Sequence, residues 1–254
     1  MALPTRMARS REHLSRAPIT EALIDLQFPA GEIKLKDLHK FSSLLDGYEA
    51  KGPIFQIETE WNISKEKGAK EQSKSLELGV RLHSTDDKYV LQIRTEAFTL
   101  SRLEPYETWE NLSREARRLW HIFNSQIRPE TIRRTATRFI NRLRLPMKAG
   151  EQFQEYLTKP PDVPDGLPQG VAGFLQRVVL LNPNLNARAN VIQVLQEGFA
   201  PADHVPVVLD IDVYSIGDFP PDADDVWNLL ESLRVFKNEI FFASLTEKTI
   251  SQYE

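Results

Sequence analysis

The 254-residue chain contains no cysteine, which excludes disulfides, thiolate nucleophiles and cysteine metal sites together. It has no apolar run near the ~18 residues that a spanning helix needs. Neither sign of charge dominates: 32 Lys and Arg against 36 Asp and Glu leave −4, so no global field draws the chain to nucleic acid. The phosphate-cradling G-x-x-x-x-G-K-[ST], the dinucleotide G-x-G-x-x-G, the zinc-binding H-E-x-x-H and the G-x-S-x-G nucleophile elbow are all missing. His13, His39, His83, His121 and His204 are scattered without a metal-ligand spacing. These gaps leave no catalytic residue, cofactor or metal to expect.

What is present suits a packed core. Hydrophobic residues make up 41% and charged ones 27%, ordinary for a globular chain of one large or two small domains. Residues 1–16 carry Arg6, Arg9, Arg11 and Arg16 against the single acid Glu12. They lack the apolar stretch of a secretory signal and read as a flexible basic tail, with the cytoplasm as the expected address and no membrane partner.

Periodicity sets the organisation. Ala17 to Phe28 alternates, with Ala22, Ile24, Leu26 and Phe28 on one parity and the acids Glu21 and Asp25 on the other, as in a strand with one apolar face. Leu35, Leu38, Phe41 and Leu45 predict a helix closed by Gly47. Ile54 to Ile63 reads as a strand, Lys65 to Lys74 as an exposed loop, and Leu76 to Ser101 as a hairpin turning at Ser84–Asp87. Pro105 opens an amphipathic helix with the stripe Trp109, Leu112, Ala116, Leu119, Trp120 and Phe123, which stops before Pro129. The order then repeats. Thr131 to Leu145 is strand-like, Phe153 to Leu157 a short helix, Lys159 to Gln169 a proline-rich loop, and Phe174–Leu181 with Asn190–Gln196 a hairpin. Val205 to Tyr214 is the clearest strand, followed by a helix carrying Trp227, Leu230 and Leu233. Core packing is the better account of Trp109, Trp120 and Trp227; Trp61 is less defined.

A shift of 118 places Trp109 on Trp227 and Tyr89-Val-Leu-Gln-Ile on Val207-Val-Leu-Asp-Ile. The expected fold is therefore α+β with a mainly antiparallel sheet, built as two β-α-β-β-β-α halves, 17–129 and 130–254, related by a pseudo-twofold duplication.

Two polar sets stand out. Arg134, Arg138, Arg142 and Arg144 share one parity of their strand, and Asp210, Asp212 and Tyr214 share one parity of theirs. If these strands are neighbours, acids lie beside arginines, and mutual pairing at about 0.2–1 kcal/mol per pair is the plain structural reading. The functional reading of the same residues is a polar groove on the face without helices. Arginine forks there grip carboxylate or phosphate, and Asp-x-Asp aims two carboxylates at a cation.

Four segments in order, Ala17-Pro-Ile-Thr-Glu-Ala22, Leu100-Ser-Arg-Leu-Glu-Pro-Tyr-Glu-Thr-Trp109, Arg138-Phe-Ile-Asn-Arg-Leu143 and Leu209-Asp-Ile-Asp-Val-Tyr214, give the chain a likeness. It resembles a sporadically distributed family of conserved hypothetical prokaryotic proteins of about 250 residues. The resemblance runs from Ala17 onward and implies no activity or cofactor. Its matching polar positions here are Glu21, Arg138, Asn141, Asp210 and Asp212. A sporadic distribution resembles that of mobile-element, toxin–antitoxin or phage-defence genes.

The leading expectation is a non-enzymatic binding or interaction protein. Its candidate ligand-binding face comprises Glu21, Arg138, Asn141, Arg142, Asp210 and Asp212, and it takes a protein partner or small ligand across the seam between the halves. The alternative is a metal-assisted hydrolase or nucleotide-binding enzyme in which Asp210 and Asp212 take the cation and Arg138 with Arg142 the phosphate. A third reading, nucleic acid along Arg133–Arg144, lacks stacking aromatics beyond Phe139. A homodimer is the commonest assembly for such a chain.

Overall fold

The computed structural model describes residues 14–31, 33–64, 68–148, 150–196 and 204–254, with the backbone alone at 60–64 and 68–72. The alternating segment after Ala17 forms β1 (Ile19–Gln27), and the stripe that follows forms α1 (Leu35–Ser43). Gly47, at φ 78°, turns the chain into β2 (Tyr48–Ser64) rather than capping α1, which ends at Leu44. β3 (Gly68–Ser84), β4 (Tyr89–Arg94) and β5 (Ala97–Leu103) lead to α2 (Trp109–Ile127). β6 (Ile132–Leu145), a 3-10 turn (Phe153–Glu155), β7 (Leu175–Asn182), a second 3-10 turn (Pro183–Leu185), β8 (Ala187–Leu195) and β9 (Val205–Phe219) follow. α3 (Asp225–Ser244) and the short α4 (Glu247–Ile250) close the chain.

The strands make one nine-stranded sheet in the order β2-β3-β4-β5-β1-β6-β9-β8-β7, and all its ladders are antiparallel. The α+β, mainly antiparallel expectation holds. The strand count of the first half does not. Residues 17–129 carry five strands rather than four, because β4 and β5 are joined at Thr95-Glu96, a turn with none of the Gly, Pro or Asn residues that announce one.

Lys65–Lys74 departs from the expected loop as well. Residues 65–67 lie outside the described residues, but Gly68–Lys74 belong to β3 and pair with β2 out to Ser64↔Gly68. Beyond Gly79 this pair leaves the sheet as a two-stranded ribbon, since β3 meets β4 only from Gly79 to His83. Where its side chains are described, at 53–59 and 73–76, the ribbon is exposed or half-buried on both faces, and such a ribbon needs no apolar alternation. Gly79 marks the branch point. A Cβ there would lie 1.9 Å from the carbonyl oxygen of Ile93, so Gly79→Ala is expected to cost about 1–3 kcal/mol through forced backbone shifts. Faster amide exchange at Val80 and Ile93 would confirm it, and unchanged protection would contradict it.

Helices lie on one face of the sheet. α2 is capped by Thr108, whose Oγ1 accepts from the Asn111 amide at 3.2 Å, and it begins four residues after Pro105 rather than at it. Its six stripe residues are all buried. Trp120 and Phe123 join Phe28, Phe41 and Phe98 in an aromatic cluster with centroids 5.4–5.9 Å apart. α3 spans two cores: Val226, Trp227 and Leu230 enter the one under β1–β5, and Leu233, Ile240 and Phe241 the one under β6–β9. Arg117 to Asp224 at 3.0 Å and Trp120 Nε1 to the Pro221 carbonyl at 3.0 Å tie α2 to the start of α3. The basic tail, 1–13, lies outside the described residues. Leu14, read as part of that tail, is buried in the second core, and Arg16 donates its amide to Tyr253.

Among the described residues no helix is long and apolar enough to cross a membrane. His39 bonds Glu77 at 2.8 Å on the surface and His121 is exposed. Trp61 falls where only backbone is described.

Candidate functional site

β1, β6 and β9 are neighbours at the centre of the sheet. Their pleat puts Glu21, Asp25, Arg134, Arg138, Arg142, Asp210 and Asp212 on the face opposite the helices. The charges there meet each other. Asp25, 5% exposed, accepts from Thr99 Oγ1 at 2.6 Å, Gln27 Nε2 at 2.8 Å and Arg134 Nη1 at 2.8 Å, with Arg94 at 3.5 Å. Arg134 reaches the other way to both oxygens of Asp212, at 2.8 and 3.0 Å, and lies over the Tyr214 ring. Asn190 continues the row from Asp212 at 3.4 Å, and Arg177 from Asn190 at 3.0 Å. One ladder of hydrogen bonds thus crosses seven strands, β4 to β7 in sheet order.

The predicted residues divide accordingly. Arg138 grips Asp210 bidentately, Nε at 2.8 Å and Nη2 at 2.5 Å. That hydrogen bond raises the Arg138 pKa above its ordinary value against the cost of burial, with the fields of Asp210, Asp212 and Glu21 adding to it. Asp212 belongs to Arg134, and Arg142 stands farther along the same face, opposite Val208. Asn141 does not share that face. Its position is odd along β6, so it turns to the helices, buried, and donates to the carbonyls of Leu209 at 2.9 Å and Phe139 at 3.3 Å. The candidate face therefore holds five of its six residues; Arg138 and Asp210 are spent on each other and Asp212 on Arg134. Among the described residues no cluster of three or more His, Asp or Glu could hold a metal.

The other face has a site that sequence reasoning missed. A cavity of about 240 Å³ opens between the start of α2, the middle of α3, the centre of β6 and the segment ahead of β1. Both halves of the chain build it. Tyr106 and Trp109 come from the first, and Phe139, Asn141, Lys237 and Phe241 from the second. Tyr106 and Trp109 pack on Phe139 with centroids 5.7 and 6.3 Å apart.

Lys237 is the feature that distinguishes this cavity. It is 6% exposed, its Nζ lies 3.7 Å from the Phe139 ring centroid, and no acceptor bonds it among the described residues. Burial lowers its pKa to about 7, with the nearby charge of Arg234 pushing the same way. Arg234 itself is matched: its Nε bonds Glu231 at 3.0 Å, and Glu231 also accepts from Trp109 Nε1 at 2.6 Å. Burial, with Glu110 adding, raises the Tyr106 pKa, so the phenol keeps its proton. The sequence held a signal. Lys237 lies four residues from Leu233 and four from Phe241, inside the apolar stripe of α3 rather than on its wet side.

No family model matches the chain, and no curated protein matches it.

Proposed function

We propose that the protein is a non-enzymatic binding protein of two halves, 17–129 and 130–254, related by a pseudo-twofold duplication, and that it holds a small ligand at the seam between them. One contrast carries the reading. Asp210 and Asp212 are already held by Arg138 and Arg134, whereas Lys237 lies buried beside a cavity and no acceptor bonds it among the described residues. Buried polar groups are ordinarily satisfied, and an exception asks for a partner.

The strand order supports the duplication. Outward from the central pair run β1-β5-β4-β3-β2 on one side and β6-β9-β8-β7 on the other, with the single β9 standing where the first half has β5 and β4, and α2 follows β5 as α3 follows β9. The correspondence is topological. The 118-residue shift lays β4 on the first part of β9, because the second half runs a single 15-residue strand where the first folds a hairpin.

The metal-assisted alternative requires Asp210 and Asp212 to abandon arginines for a cation. Breaking such pairs leaves charges uncompensated, which opposes it. Purified protein is expected to leave phosphoesters and nucleotides intact and to show no melting shift in millimolar magnesium or manganese. Turnover abolished by Asp210→Asn, or a metal shift removed by Asp212→Ala, would overturn the proposal.

A further inference from the structure

We infer that the seam cavity takes a small monocarboxylate with a flat apolar body, its carboxylate seated on Lys237 Nζ and its body between the aromatic walls. The inference rests on the seam being the binding site and adds the chemical class of what binds there.

The charge comes from Lys237. An ammonium held largely out of water is costly unless paired and hydrogen-bonded, and among the described residues it rests on the Phe139 ring with no acceptor bonded to it. An entering anion would supply both a counter-charge and acceptors, and charge-assisted bonds are strongest where water is excluded. Only one negative charge is called for, because Glu231 already matches Arg234. A phosphate dianion would bring a second charge with no second cation to meet it. The first turn of α2 borders the same cavity through Thr108, Trp109 and Glu110; its positive end favours an anion, and the Glu110 carboxylate works against a second negative charge.

The body follows from the walls. Trp109, Phe139, Tyr106 and Phe241 offer aromatic faces and edges to a planar group. At about 240 Å³ the space lies below the roughly 300–1,000 Å³ of sites for drug-sized ligands, so the occupant is compact.

Acidity should control affinity. The titratable groups facing Lys237 are Arg234 on its own helix and Tyr106 and Glu110 ahead of and within the first turn of α2. β6 contributes Phe139 and Asn141, the segment before β1 contributes Leu14 and Ala17, and β1 contributes Ile19, none of which titrates. Burial brings the Lys237 ammonium down to about 7, so its charge changes near neutrality.

Isothermal titration calorimetry of the full chain with benzoate, its neutral isostere benzamide, and inorganic phosphate tests the inference. Benzoate is expected to bind saturably, about tenfold more weakly at pH 8 than at pH 6, with proton uptake at pH 8 read from buffers of different ionisation enthalpy. Lys237→Met, which replaces a buried charge by an apolar chain of similar shape and should fold, is expected to weaken benzoate at least about tenfold. Benzamide binding as tightly as benzoate, or phosphate binding in its place, would overturn the carboxylate while leaving the seam a binding site. Benzoate binding equally to Lys237→Met would overturn the role of the lysine. If none of the three probes binds, the inference fails; Asp210-dependent turnover would instead remove the reading beneath it.

Discussion

Arg134→Met is expected to destabilise the fold by about 3–5 kcal/mol, measured by urea unfolding. Arg134 is the link between Asp25 and Asp212, at 2.8 Å to each. Removing it leaves Asp25 and Asp212, on the strands either side of β6, without the cation they share on a partly desolvated stretch of sheet, and stranding one member of a buried ion pair costs of that order. Replacing the three together, Asp25→Val, Arg134→Met and Asp212→Val, should recover most of the loss, because a well-packed apolar set removes the charges along with their pairing. A loss below about 1 kcal/mol in the single variant would mark the pairs as surface salt bridges. The open face would then have charge to spare for a ligand.

Lys237→Met is expected to act in the opposite direction, stabilising the protein by about 2–4 kcal/mol at pH 6. The sign follows from proton counting. An unfolded lysine holds its proton to its ordinary pKa of 10.5, whereas in the fold Lys237 releases it near 7. Between those values the unfolded chain binds more protons, so wild-type stability rises with pH at up to about 1.4 kcal/mol per unit, and below pH 7 the contribution is flat. Methionine forgoes the contact of a cation with Phe139 but removes the larger cost of a charge held out of water. Subtracting variant from wild-type unfolding free energies between pH 6 and 9 isolates the lysine from other titrating groups. A variant less stable than wild type at pH 6, or a difference independent of pH, would show that Lys237 is solvated.

These two residues also show how much could be read in advance. Strand alternation identified the apolar face of β1, and the α2 stripe was legible residue by residue from Trp109 to Phe123. Alternation also placed Arg138 and Asp210 on a common face once β6 and β9 proved adjacent. Adjacency itself was not legible, because it depends on which strands the long connections bring together. Asn141 entered the polar set through the family-like Arg138–Leu143 segment, although its own parity pointed to the helices. The β4–β5 turn carried no turn-forming residue, and the ribbon of β2 and β3 has no buried face among its described side chains to impose a pattern. The seam cavity was hidden for a different reason. Tyr106 and Lys237 are 131 positions apart, and only the packing of α2 and α3 on one sheet face brings them to one space. A lysine set in an apolar stripe was the single trace it left.

A crystal structure of the full chain with 4-bromobenzoate bears most directly on which face recognises a ligand. The bromine's anomalous peak is expected between Trp109, Phe139 and Phe241, with carboxylate density on Lys237 Nζ. A peak on the open face of the sheet beside Arg138, with the seam empty, would contradict the assignment.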